Sequence, residues 1–187
     1  MTPAPKVERR AGQTVIRLEI GDLTALAVDA IVFYAREDLA LGSGYGTAIQ
    51  VRGGDSIKKE LAKIGGVRPS EAVITAAGNL KSKYIVHACG PKFNEPEVER
   101  KLRATMERAL AVAEEKGIRT LAFPPMGAGF YGIPLPACAA VMLAVLVERL
   151  GMGSPLEEVI VCARDRREFL AFEEKLKEVP CARKAHS

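Results

Sequence analysis

Leu121-Ala122-Phe123-Pro124-Pro125-Met126-Gly127-Ala128-Gly129-Phe130-Tyr131-Gly132-Ile133-Pro134 runs from an apolar strand, through a glycine-proline loop, to the start of a helix. An earlier stretch repeats the arrangement. Ala30-Ile31-Val32-Phe33-Tyr34 is a continuous apolar run, which predicts a strand buried on both faces. Leu41-Gly42-Ser43-Gly44-Tyr45-Gly46-Thr47-Ala48-Ile49 follows it and leads into a helix. Loops freed of side chains let backbone N–H groups close on an anion at a helix start. One such loop is more often a mere turn. In an open α/β sheet, however, ligands sit in the crevice beyond the carboxyl ends of the strands, and two loops of this kind can grip a pyrophosphate from both sides.

Working outward, Val15, Ile16, Leu18 and Ile20 read as a first strand inside the sheet. Asp55 can cap a helix through Leu61, with Ile57, Leu61 and Ile64 at helical spacing. Glu71 to Ala76 and Tyr84 to Cys89 read as two strands. A long amphipathic helix carries Val98, Leu102, Met106, Ala109, Leu110 and Ala113 on one face and stops at Gly117. Beyond the second glycine loop come a buried helix from about Ala137 to Leu150, a strand at Val159-Ile160-Val161-Cys162, and a helix from about Arg166 to Lys177. Alternating strands and helices predict an α/β fold with a largely parallel sheet covered on both faces. Residues 13–179 form the expected domain, with loose tails at 1–12 and 180–187.

A chain of 187 residues is long enough to bury one such core without metals or disulfides. Cys89, Cys138, Cys162 and Cys181 lack both zinc-site pairing and a disulfide framework, so they read as reduced thiols in a cytoplasmic protein. No charge occurs from Thr120 to Val147, yet the prolines and glycines of its first half break any membrane span. Net charge is +4, with Lys and Arg interleaved with Glu, which argues against indiscriminate nucleic-acid binding. The only amides are Gln13, Gln50, Asn79 and Asn94, a scarcity that leans toward a thermophilic source. His87, in an apolar strand, reads as a hydrogen-bonded core residue rather than a base. Asp29 reads as a turn residue.

In consistent order from about Gln13 to Val179, the chain resembles the macro domain family. Gly21-Asp22-Leu23-Thr24 is similar to the family's Gly-Asp-Ile-Thr. Ser70-Glu71-Ala72-Val73-Ile74-Thr75 and Lys83-Tyr84-Ile85-Val86-His87 resemble Gly-Glu-Ala-Val-Ile-Thr and Lys-Tyr-Val-Ile-His, and Ala122-Phe123-Pro124 with the second glycine loop resembles the Ala-Phe-Pro and Thr-Gly-Ile-Tyr-Gly signature. The resemblance implies a three-layer α/β/α fold with a mixed, largely parallel sheet. It also implies binding of ADP-ribose or an ADP-ribosylated protein, with neither metal nor cofactor.

Residue by residue, it implies that Asp22 accepts a hydrogen bond from the adenine amino group beside the Leu23 backbone. Gly44, Tyr45 and Gly46 on one side, and Ala128, Gly129, Phe130 and Tyr131 on the other, would wrap the diphosphate. Phe130 and Tyr131 have a second reading, as loop anchors on the core. Arg164 falls where many members place an aromatic ring over the adenine, and a guanidinium can also stack there. The chain departs from the family's Val-Asn-Ala-Ala-Asn at Val32-Phe33-Tyr34-Ala35-Arg36, so Arg36 replaces the amide at the distal ribose. It departs again at Gly42-Ser43-Gly44-Tyr45-Gly46, where hydrolytic members carry Gly-Gly-Gly-Val-Asp. No catalytic residue is assigned. The expected function is ADP-ribose binding; the alternatives are an ADP-ribosyl or O-acetyl-ADP-ribose hydrolase, and an adenine-nucleotide or RNA binder with Arg36 facing a phosphate.

Overall fold

The computed structural model describes residues 5–42 and 44–180. Seven strands form one mixed sheet: β1 Lys6–Ala11, β2 Thr14–Ile20, β3 Ala30–Tyr34, β4 Ala72–Ala76, β5 Tyr84–Ala88, β6 Thr120–Phe123 and β7 Glu158–Ala163. Their spatial order is β1-β2-β7-β6-β3-β5-β4. The five strands from β2 to β5 are parallel, and an antiparallel strand closes each edge. The helices are α1 Tyr45–Gly53, α2 Asp55–Ile64, α3 Val98–Glu115, α4 Leu135–Gly151 and α5 Arg166–Glu178.

Three layers follow from the pleat of the central strands. Along β3, Ala30, Val32 and Tyr34 join the apolar layer beneath α3, α4 and α5, while Ile31 and Phe33 join the layer beneath α1 and α2. Alternate side chains of one strand thus enter opposite cores, which is why the run carries no polar residue. Helix α4 buries eight of its 17 residues, from Cys138 to Leu150. Among the described residues no helix is long and apolar enough to cross a membrane.

Two expectations are corrected. The segment 1–12, read as a loose tail, contains β1, which pairs with β2 from Lys6↔Glu19 to Ala11↔Thr14. Asp55 is not the cap of α2: Gly54 holds that place at φ 85, and Asp55 is the first helical residue, where its carboxylate favours the helix dipole. The three described cysteines, Cys89, Cys138 and Cys162, are free and buried, and Cys181 lies outside the described residues, as does the tail beyond Pro180.

The strand ends opposite the glycine loops are tied by one residue. The Asp29 carboxylate accepts from the backbone N–H of Arg119 (2.9 Å) and Thr120 (3.2 Å) and from Lys83 Nζ (3.0 Å). Its own N–H donates to Thr120 Oγ1 at 2.7 Å. Burial works to raise this carboxyl, but these donors outweigh it and hold it below the usual carboxylate range.

His87 is 1% exposed, its Nε2 lies 2.9 Å from Thr75 Oγ1, and its ring meets Phe33 edge-on. Burial pulls it down to about 4 from 6.5. An unfolded chain takes up this proton below pH 6.5, whereas the folded one refuses it until about pH 4. The contribution is therefore complete above pH 6.5 and is lost as pH falls toward 4, on the order of 3 kcal/mol in all. Denaturant titrations between pH 7 and 4.5 should show a steeper loss of stability in wild type than in His87→Gln. Equal slopes would assign the acid sensitivity to other groups.

Candidate functional site

Strands β3 and β6 pair only at Ala30↔Leu121 and Ile31↔Ala122. Beyond Ile31 they part, and their following connections diverge, one toward β4 and β5 and the other through α4 to β7. This is the strand-order reversal at which open α/β sheets leave a crevice. Both glycine loops open into it. They line one cavity of about 220 Å³, with Gly42, Gly44 and Tyr45 on one side and Gly127, Gly129, Phe130 and Tyr131 on the other.

Local sequence fixes each wall. Gly46, in the first turn of α1, lies so close to the Leu41 carbonyl that a Cβ would overlap it, so the loop can fold back on the helix only with glycine there. Gly127 has φ 78 and packs against Ile133 and Tyr34. Tyr34 in turn donates its hydroxyl hydrogen to the Pro91 carbonyl and packs its ring, tilted by 53°, on Tyr131 at 4.7 Å between centroids. The second loop is thereby clamped onto β3 through an aromatic pair.

The expected site residues divide clearly. Arg36, Gly44, Tyr45, Gly129, Phe130, Tyr131 and Arg164 line the cavity. Asp22, Leu23, Gly46 and Ala128 do not. Leu23 and Gly46 are buried, and Ala128 packs on the core. Tyr131 both lines the cavity and packs on the core against Tyr34, whereas Phe130 is 87% exposed and meets only the Tyr131 ring edge-on among the aromatic contacts of the described residues, at 5.7 Å between centroids. A second cavity of about 310 Å³ shares Arg36, Phe130 and Tyr131 with the first and reaches Cys89, Lys92 and Glu95.

Charge at the site is internally matched. Arg36 binds Asp38 through two parallel bonds, Nε to Oδ1 at 3.0 Å and Nη2 to Oδ2 at 2.8 Å, both exposed. Asp22 accepts from the Thr24 N–H (3.0 Å) and hydroxyl (2.7 Å) through Oδ1, and pairs with Arg52 through Oδ2. Burial acts to raise its carboxyl, but Arg52 and Thr24 together hold it below the usual range. Arg52 escaped the sequence reading because it stands thirty positions away on α1, a separation no motif spans.

Glu168 also lines the cavity and was not foreseen. It is 7% exposed, and its Oε2 accepts from the Arg164 N–H at 2.7 Å. Asp165, the N-cap of α5, accepts in return from the Glu168 N–H at 2.9 Å. The Asp165-x-x-Glu168 spacing is a helix-start signature and was the available signal. Among the described residues no cluster of His, Cys, Asp or Glu is arranged to hold a metal ion.

The macro domain profile matches residues 34–142. A macro domain-containing protein of Caldanaerobacter subterraneus is 35% identical over 170 residues, covering 88% of this chain and 97% of its own. Another, of Streptomyces griseus, is 38% identical over 170 residues, covering 87% and 94%. Among solved structures, an Oceanobacillus iheyensis macrodomain with ADP superposes with a TM-score of 0.90 at 24% identity over 95% of this chain and 97% of that one. A Trypanosoma brucei macrodomain in complex with ADP-ribose gives a TM-score of 0.81 at 27% identity, covering 85% and 68%. Overall fold and sequence therefore agree, and the chain belongs to the macro domain family.

Proposed function

We propose that the cleft binds ADP-ribose, free or carried on a protein. The observation that carries this reading is that two glycine-bearing loops, each between a parallel strand and a helix, face one another across a single cavity. Backbone N–H groups at such positions suit a diphosphate, whose charge is spread over several oxygens. The ADP and ADP-ribose held by the Oceanobacillus and Trypanosoma relatives support the same ligand here. In this reading Gly44, Gly129 and their neighbours hold the diphosphate, Arg164 borders the base, and Arg36 faces the distal ribose. Asp22 accepts from the adenine amino group. Its Oδ2 keeps a free lone pair for that bond even with Arg52 in place, since each carboxylate oxygen has about two acceptor sites.

Gly129 provides the direct test. A Cβ there meets no atom within 4 Å, so Gly129→Val should fold normally while its side chain fills the space through which backbone and phosphate approach. Wild type with ADP-ribose at a hundredfold above Kd should gain about 2.7 kcal/mol of stability, and the variant none. A full ligand-induced rise in the variant's melting temperature would remove the second loop from the phosphate site.

Catalysis has different requirements, and they are poorly met. Attack near the distal ribose needs a water held in line and a group that orients or deprotonates it. The Arg36 guanidinium stays protonated and is bonded to Asp38. Burial, followed by the Cys162 thiol and the Glu168 and Asp22 carboxylates, pushes the Tyr45 phenol well above its ordinary range, away from service as a base. Losing one positioned polar group costs about 10²–10³ in rate. Single-turnover assays on aspartate- or glutamate-linked ADP-ribosyl protein, and on O-acetyl-ADP-ribose, should therefore run near the uncatalysed background. A robust rate that collapses in Arg36→Ala or Tyr45→Phe would establish a hydrolase instead.

A further inference from the structure

Tyr45 carries a polar atom whose bonding the fold leaves incomplete. Its hydroxyl is buried and has no hydrogen-bond partner among the described residues. Buried hydroxyls are normally paired, because hydrogen bonds given up to water are otherwise not recovered. The ring packs on the apolar layer that holds Leu23 and Cys162, and it also walls the cavity. Burial first, then the Cys162 thiol and the Glu168 and Asp22 carboxylates, hold the phenol in its protonated form. Glu168 lines the cavity, and Asp22 does not. Tyr45 thus joins the cavity wall to the apolar layer that holds Leu23, the residue next to Asp22.

We propose that Tyr45 is a specificity-determining gate, whose ring closes the cavity off from Asp22 and turns aside to admit the base of a nucleotide ligand. The inference rests on the ADP-ribose reading above. Turning requires only a side-chain rotation, since Tyr45 is the first residue of α1 and its backbone is set by Gly44 and the helix. The hydroxyl loses no hydrogen bond on leaving and becomes free to take one from water or ligand. The closed ring therefore lowers apparent affinity by the fraction of molecules in which the base site is open. Only the part of the ligand carrying the base meets this penalty, because the phosphate loops already face the open cavity.

Calorimetry with ADP-ribose, ADP and ribose 5-phosphate tests the gate on wild type, Tyr45→Val and the double variant Tyr45→Val with Asp22→Ala. Tyr45→Val should bind ADP-ribose and ADP about tenfold more tightly than wild type, a modest open fraction being restored to unity. Ribose 5-phosphate, which has no base, should bind both proteins alike, and the gain should vanish in the double variant. Tyr45→Phe, which deletes the unpartnered hydroxyl alone, should melt at a higher temperature than wild type. The gate is overturned if wild type binds ADP-ribose and Tyr45→Val binds it equally or more weakly. Equal gains for ribose 5-phosphate, or a Tyr45→Phe protein that melts no higher, would overturn it as well. Absence of ADP-ribose binding by both wild type and Tyr45→Val would instead refute the ADP-ribose reading on which the gate depends.

Discussion

The Asp29 carboxylate binds the backbone of Arg119 and Thr120 where β6 begins and the Lys83 ammonium just ahead of β5, all from the residue that precedes β3. Three parallel strands are thereby pinned at their amino ends. With that end fixed, β3 and β6 need share only two ladder positions before parting, and the space between their carboxyl ends becomes the cleft. A sheet paired along the full length of both strands would have little room there. The tie also explains why an acidic residue sits at the start of an otherwise apolar strand: two of its partners are backbone amides that no apolar side chain can satisfy.

The elements most legible in the sequence are those whose environment is the same on every side. β3, β6 and β7 are covered on both faces, so their apolar runs leave little ambiguity. β1 failed to register for the opposite reason. Lys6-Val7-Glu8-Arg9-Arg10 lies at a sheet edge with alternate side chains in water, and its charge is what such an edge requires to avoid pairing with another chain. Its strand character comes from the two-residue turn at Gly12-Gln13 and the partner it finds in β2. Asp55 misled for a related reason: it is a good capping residue, but Gly54 at φ 85 completes the turn between α1 and α2 one position earlier.

At the site, the loops were legible because their demand falls on the backbone. Glycine spacing between a strand and a helix states where main chain must come close, as Gly46 against the Leu41 carbonyl and Gly127 against Ile133 bear out. Side-chain partnerships were not legible. Arg52 against Asp22, Tyr131 against Tyr34 and Tyr45 against the layer around Cys162 each join segments that only the fold brings together. The division is physical: local sequence encodes φ and close approach, while a pairing between side chains on different elements depends on every element lying in place.

Arg36 shows how much that second kind of information alters the chemistry. From sequence it is a cation where the family carries a neutral amide, which invites a phosphate as partner. In the folded chain its Nε and Nη2 are engaged by Asp38, and the pair is electrically neutral. An incoming phosphate must then compete with a carboxylate two residues away, held in the bidentate geometry that guanidinium groups favour. What remains is chiefly the Nη1 edge of a planar donor group, able to bond a hydroxyl or carbonyl oxygen while its charge is balanced by Asp38. In the ADP-ribose reading proposed above, Arg36 at the distal ribose donates as an amide would, offers no acceptor and supplies no base. That combination fits a wall that recognises a ribose better than one that attracts a second phosphate.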